Sequence, residues 1–208
     1  MRLQLGVLGA SQKTVLQQIG PFARLAGFYL AGGTGLALQL GHRRSVDFDW
    51  FRKETVGDPL QLASEITAAG IPFEPAATER GTLHGTVSRV RVSFIEYRYP
   101  LLKPPLEPSP DLYLASAEDI AAMKLAAVAQ RGSRRDFVDV YALGQVLGLQ
   151  PMLGSYQRKY GVRDVGHLLV ALTYFDDADR EPMPALRRDW TWTRIKAAIR
   201  SWVRAAAR

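Results

Sequence analysis

Two aspartates separated by one residue, Asp47 and Asp49 in "SVDFDWF", are the residues of this 208-residue chain best suited by type and spacing to do chemistry. The segment alternates, which predicts a strand over 46–51 with Asp47 and Asp49 on one face and Val46, Phe48 and Trp50 on the other. Two carboxylates ~7 Å apart on one face repel each other, and each costs free energy when desolvated. A divalent cation removes that repulsion. Mg²⁺ favours one or two carboxylates completed by water and phosphate oxygens, and there it stabilises charge on a phosphoryl group in transfer. Just upstream, "FYLAGGTG" reads as a strand over 28–31, a Gly-Gly turn and a helix from Thr34 to Leu40. Gly33 lets backbone amides approach a phosphate, the helix start directs its positive dipole end at the anion, and Thr34 adds a hydroxyl donor. Neither half is distinctive alone. "GGTG" lacks the G-x-x-x-x-G-K-[ST] pattern of a P-loop and is not G-x-G-x-x-G. The ordered combination, with twelve residues between Thr34 and Asp47, is what points to phosphoryl chemistry.

These residues need a scaffold, and the chain divides at a Pro-rich stretch. Five of the twelve prolines fall in "PLLKPPLEPSP", 100–110. Proline lacks an amide donor and fixes φ, so this segment reads as an extended connector over 100–113. The part before it, 1–99, mixes helix and strand. Helices are expected over 12–26 and 59–69, the second capped by Asp58 with Pro59 at its first position. "GTLHGTVSRVRVSFIEYRY" contains two strands, with Val90, Val92 and Phe94 sharing a face. The part after it, 114–208, reads as all helical. Ser116 with Asp119, and Ser133 with Asp136, open two helices as capping-box-like pairs. Further helices are expected near 151–160, 163–174 and from 191 onward. The fold class is therefore α+β: a mixed sheet with helices, then a helical domain.

Composition narrows the functional classes. The chain has no apolar run long enough to span a membrane, and its first residues lack the apolar core of a signal peptide. It has no cysteine, so disulfides and thiolate metal sites are excluded; this fits a reducing compartment, and a cytoplasmic location is expected. The formal net charge of +7 biases the protein toward polyanionic partners without choosing among them.

The motif set resembles the nucleotidyltransferase superfamily, and more closely its AbiEii/AbiGii toxin family. The resemblance rests on "LAGGTGLALQLGHRRSVDFDWF", "AAMKLAAVAQRGSRRDFVDVYAL" and "HLLVALTYFDDAD", in that order. It implies a nucleotidyltransferase core with an appended helical domain that completes the site. It also implies Mg²⁺-dependent transfer of a nucleotide from an NTP, with Mn²⁺ as a substitute ion. Family members act as toxins paired with an antitoxin, and some modify the 3′ end of tRNA. Residue by residue, Gly33 and Thr34 match the phosphate turn, and Asp47 and Asp49 the metal pair. Lys124 matches a lysine expected to meet the triphosphate, Arg135 and Asp136 the Arg-Asp of the fourth motif, and Asp139 its following aspartate.

Superfamily members often carry a third carboxylate on a later strand, which helps activate the attacking hydroxyl as a general base, where this chain has Ser93. Glu96, Asp136 or no residue takes that role; the resemblance favours Asp136, which a capping box with Ser133 would equally explain. Arg43 and Arg44 precede the D-x-D, and Arg131, Arg134 and Arg135 flank a helix start; each reads as a phosphate contact or as a solvated basic turn. Lys196, Arg200, Arg204 and Arg208 form a stripe opposite Ile195, Ile199, Trp202 and Val203, either an RNA-facing ridge or a solvated helix face. "YFDDAD" lacks an ordered ligand frame, and His42, His84 and His167 show no zinc spacing. The leading reading is transfer of an NMP to a tRNA 3′ hydroxyl by an antitoxin-paired toxin. The alternatives are a small-molecule or protein hydroxyl as acceptor, and a non-catalytic nucleotide- or RNA-binding module.

Overall fold

The computed structural model describes residues 2–207. Helix α1 (Ala10–Leu25) leads into the short strand β1 (Tyr29–Leu30), then helix α2 (Gly32–Leu40) and strand β2 (Phe48–Arg52). Helix α3 (Pro59–Ala68) starts on Asp58, whose carboxylate accepts the Leu60 amide at 2.9 Å, as its N-cap type predicts. Strands β3 (Phe73–Glu79), β4 (Thr82–Val87) and β5 (Val90–Glu96) form a meander, followed by β6 (Leu106–Ser109) and β7 (Leu112–Leu114). The rest is helical: α4 (Ala117–Gln130), α5 (Arg134–Leu147), α6 (Leu149–Tyr160), α7 (Gly166–Ala171) and α8 (Trp192–Ala206).

The seven strands form one mixed sheet in the order β3-β4-β5-β2-β1-β7-β6. The pairs β1–β7 and β2–β5 are parallel; β1–β2, β3–β4, β4–β5 and β6–β7 are antiparallel. The Pro-rich stretch is thus extended, as proline demands, and its second half joins the sheet. Pro108 sits in β6, an edge strand, where a missing amide donor costs no ladder bond. β3 was not anticipated. It is the other edge, nearly all exposed, and it bulges between Pro75 and Ala77, so it shows no apolar alternation.

Strand alternation sorts the core into two layers. Phe48, Trp50, Val92 and Phe94 face α1 and α3, while Tyr29 and Phe51 face the helical half. Asp49 shares the parity of Phe51, so the sheet directs it toward α4 and α5. β2 begins two residues later than expected. Asp47 precedes it, and Val46 is 51% exposed rather than buried. No helix among the described residues is long and apolar enough to cross a membrane.

Candidate active site

A cleft of about 200 Å³ opens where the start of α2, the loop before β2, and helices α4 and α5 meet. Gly32, Gly33 and Thr34 form the first turn of α2 rather than a turn ahead of it. Gly32 has φ +60°, and a Cβ there would stand 2.9 Å from Asp49 Oδ2, so only glycine fits. A Cβ on Gly33 would collide with the Arg43 guanidinium. The first helical bond runs from the Gly35 amide to the Ala31 carbonyl, which leaves the amides of Gly32, Gly33 and Thr34 without intrahelical acceptors. Such a turn accepts an anion. The Thr34 hydroxyl is not a spare donor. It donates to the Asp47 carbonyl and lies 2.6 Å from Ser45 Oγ, so it braces the loop beneath the D-x-D.

The two acids differ. Asp49 lies opposite Ser93 in register, is part-buried, and has no ion-pair partner among the described residues. Burial raises its carboxyl above the ordinary range and the Asp47 charge adds to this, against the pull of Lys124 and Arg131. Asp47 is partly exposed and clasped by Arg91, Nε to Oδ1 at 2.8 Å and Nη2 to Oδ2 at 2.9 Å. Among the described residues no three His, Cys, Asp or Glu side chains gather as a complete metal cage. A two-carboxylate set, one member desolvated and without a cation, fits an ion that keeps water and phosphate oxygens as its other ligands.

Opposite the acids stands a frame of cations held by two carboxylates of α5. Ser133 caps α5 and bonds Asp136 Oδ2 at 2.7 Å. Asp136 also receives Lys124 Nζ at 3.0 Å and Arg131 Nε at 2.7 Å. Burial works against the Asp136 anion, but bonds from Arg131 and Ser133 and the Lys124 charge outweigh it and hold the carboxyl at about 2. One turn on, Asp139 is fully buried and gathers three partners: Lys124 Nζ at 2.7 Å, Arg43 through Nε at 2.7 Å and Nη2 at 2.8 Å, and His42 Nε2 at 2.8 Å. Burial opposes this anion too, and Lys124 and then Arg43 drive its carboxyl well below the ordinary value.

All the predicted site residues, Gly33, Thr34, Arg43, Asp47, Asp49, Lys124, Arg135 and Asp136, line this one cleft, joined by Ser45, Val46 and Arg131. Arg135 is exposed and has no ion-pair partner among the described residues. Glu96 is not part of the cleft. Its parity with Val92 and Phe94 places it on the opposite face, where it meets Arg98 and the Val56 amide. The α8 stripe is partly used internally. Lys196 pairs with Asp179 at 2.8 Å, and Arg200 lies 5.1 Å from the Phe175 ring centroid; Arg208 lies outside the described residues. Asp179 of "YFDDAD" thereby anchors α8. His42, which shows no zinc spacing, belongs to the Asp139 network; its partner stands 97 residues away, so no local signal could reveal it.

Residues 84–199 match the family described as nucleotidyl transferase AbiEii toxin, Type IV TA system. An uncharacterized protein of Aquifex aeolicus (strain VF5) is 35% identical over 188 residues, covering 88% of this chain and 90% of the relative. Among solved structures, a candidate nucleotidyltransferase of H. pylori superposes with TM-score 0.57 at 14% identity, covering 95% of each chain. MenT4, a nucleotidyltransferase toxin of Mycobacterium tuberculosis H37Rv, gives TM-score 0.54 at 17% identity, over 93% of this chain and 82% of its own. These likenesses bear out the expected α+β class with its helical C-terminal half, and an enzyme rather than a binding module. The chain belongs to the AbiEii nucleotidyl transferase toxin family and is a nucleotidyltransferase.

Proposed function

We propose that the enzyme transfers an NMP from an NTP to the 3′ hydroxyl of an RNA, with tRNA as the leading acceptor. The observation that carries this reading is a desolvated carboxylate without a cation, Asp49, set beside three free helix-start amides and a frame of cations. Asp49 and Asp47 would hold the divalent cation, Mg²⁺ or Mn²⁺; when bound it supplies Lewis-acid charge stabilisation at the phosphates. The amides of Gly33 and Thr34 receive phosphate oxygens, and Lys124, Arg131 and Arg135 offset the triphosphate charge. Arg43 acts one step back, held by Asp139 and filling the space beside Gly33. The acceptor hydroxyl gives its proton to solvent as its oxygen attacks the α-phosphorus, the new P–O bond forms, the bond to the β-phosphate breaks, and pyrophosphate leaves.

Asp136 departs from its expected part as a general base. A carboxyl held at about 2 is a weak proton acceptor at neutral pH, so its role here is to position Lys124 and Arg131. The +7 charge supports a polyanionic acceptor, and the family's Type IV TA assignment supports a toxin that acts in the cytoplasm against a paired antitoxin. The test is incubation with each labelled NTP, Mg²⁺ and total tRNA. Label should enter RNA with the wild type and not with Asp49→Asn. Label that appears only in protein or small molecules, or nowhere, would refute the RNA reading.

A further inference from the structure

A second cleft, of about 370 Å³, lies against a neighbouring face of α4. Lys124 of α4 and Arg131 at its C-terminal cap border the first cleft; Met123, Ala126, Ala127 and Gln130 border the second. Four tyrosines complete it. Tyr160 sits centrally, packing against Tyr99 at 4.6 Å and 77° and against Tyr156 at 4.6 Å and 53°. Tyr99 and Tyr156 each meet Tyr160, and all three line the cleft. The base of the slot is fixed. The Tyr97 and Tyr160 hydroxyls pair at 2.5 Å, and the fully buried Lys159 beneath Tyr97 is pinned to Asp119 and the Pro100 carbonyl, each at 2.8 Å. Tyr99 is 45% exposed, and the exposed Gln130 offers an amide at the rim.

We propose that this tyrosine slot takes one unstacked nucleobase of the single-stranded RNA whose 3′ end reacts in the neighbouring cleft. The inference rests on the RNA reading above. Tyrosine rings stack with any base, and an amide at the rim can bond a base edge. Burial pushes the Tyr97 phenol up to about 12, so the platform is uncharged and does not repel phosphates. Gln130 lines one cleft and Arg131 the other, and the two residues are consecutive, so the clefts open side by side at the end of α4. The chain's positive balance favours the same ligand.

The experiment uses the full-length protein and a short single-stranded RNA carrying 4-thiouridine near its 3′ end. Photocrosslinks should map to peptides containing Tyr97–Tyr99 or Tyr156–Tyr160. Tyr99→Leu should weaken RNA binding by roughly 5- to 150-fold, the range for one lost base–aromatic stack. Tyr99→Trp should restore it, and NTP affinity should stay unchanged in both. Tyr99 is exposed enough for both variants to fold, which a thermal melt checks. Crosslinks confined to other peptides, a Tyr99→Leu effect below twofold, or equal losses for Leu and Trp would overturn the slot. Label transfer by the wild type separates the two failures. Label in RNA with no Tyr99 effect overturns the slot alone; no label in RNA overturns the RNA reading and the slot with it.

Discussion

Asp139→Asn tests the cation frame most directly. The native carboxylate is fully buried and neutralises Arg43 through two bonds, Lys124 through a third, and holds His42. Asn is close in size but removes the charge and turns an amide donor toward a guanidinium. Lys124 keeps Asp136 as a partner; Arg43 keeps no carboxylate among its described bonds. Breaking a buried pair from one side costs about 3–5 kcal/mol because the remaining charge is stranded. For a chain of this size each kcal/mol moves the melting temperature by roughly 2–4 °C, so thermal denaturation should show a fall of about 6–20 °C. The pH dependence has a definite sign. The Asp139 carboxyl lies well below its ordinary value, so it stabilises the fold above about pH 4 and loses that contribution as pH falls toward its folded value. The gap between wild type and variant should therefore be constant above about pH 5 and narrow below about pH 4, by up to about 1.4 kcal/mol per unit. A fall under about 3 °C at neutral pH would refute the idea that Asp139 holds this frame.

Asp49→Asn should abolish nucleotide transfer and, unlike Asp139→Asn, not lower the melting temperature, because it removes a part-buried charge that no ion pair holds. A marked fall in melting temperature would show that the carboxylate is paired. Glu96→Gln should leave transfer unchanged in the labelled-NTP assay, since Glu96 lies on the far face of the sheet; a loss of more than tenfold would return it to the site. Gly33→Ala should displace the Arg43 guanidinium and cost about 1–3 kcal/mol in denaturant unfolding, with a lowered transfer rate. An unchanged midpoint would show that Arg43 can move freely.

Features with local causes were legible in the sequence. Asp58, Ser116 and Ser133 announced three helix starts because an N-cap needs only its own side chain and an amide two or three residues on. The alternation of Val90, Val92 and Phe94 marked β5 because one face is buried. β3 was not legible because an exposed edge strand needs no pattern, and the β6–β7 pairing was hidden in a segment whose prolines speak only of extension. The cleft's acids and its Gly33-Thr34 turn lie close in sequence and could be read together. The Asp139 network could not. It joins residues nearly a hundred positions apart, and Arg43, read from the sequence as a phosphate contact or a solvated basic turn, is instead buried against Asp139.

The long sequence separation within that network sets an order of assembly during synthesis. Arg43 leaves the ribosome 96 residues before the carboxylate that neutralises it, and Lys124 precedes both of its partners. Until α5 has emerged, the nascent chain holds Asp47 and Asp49 with no fixed cation frame facing them. Domains form as units, N-terminal parts first. An enzyme of this design lacks its cation frame on the ribosome until α5 has been made.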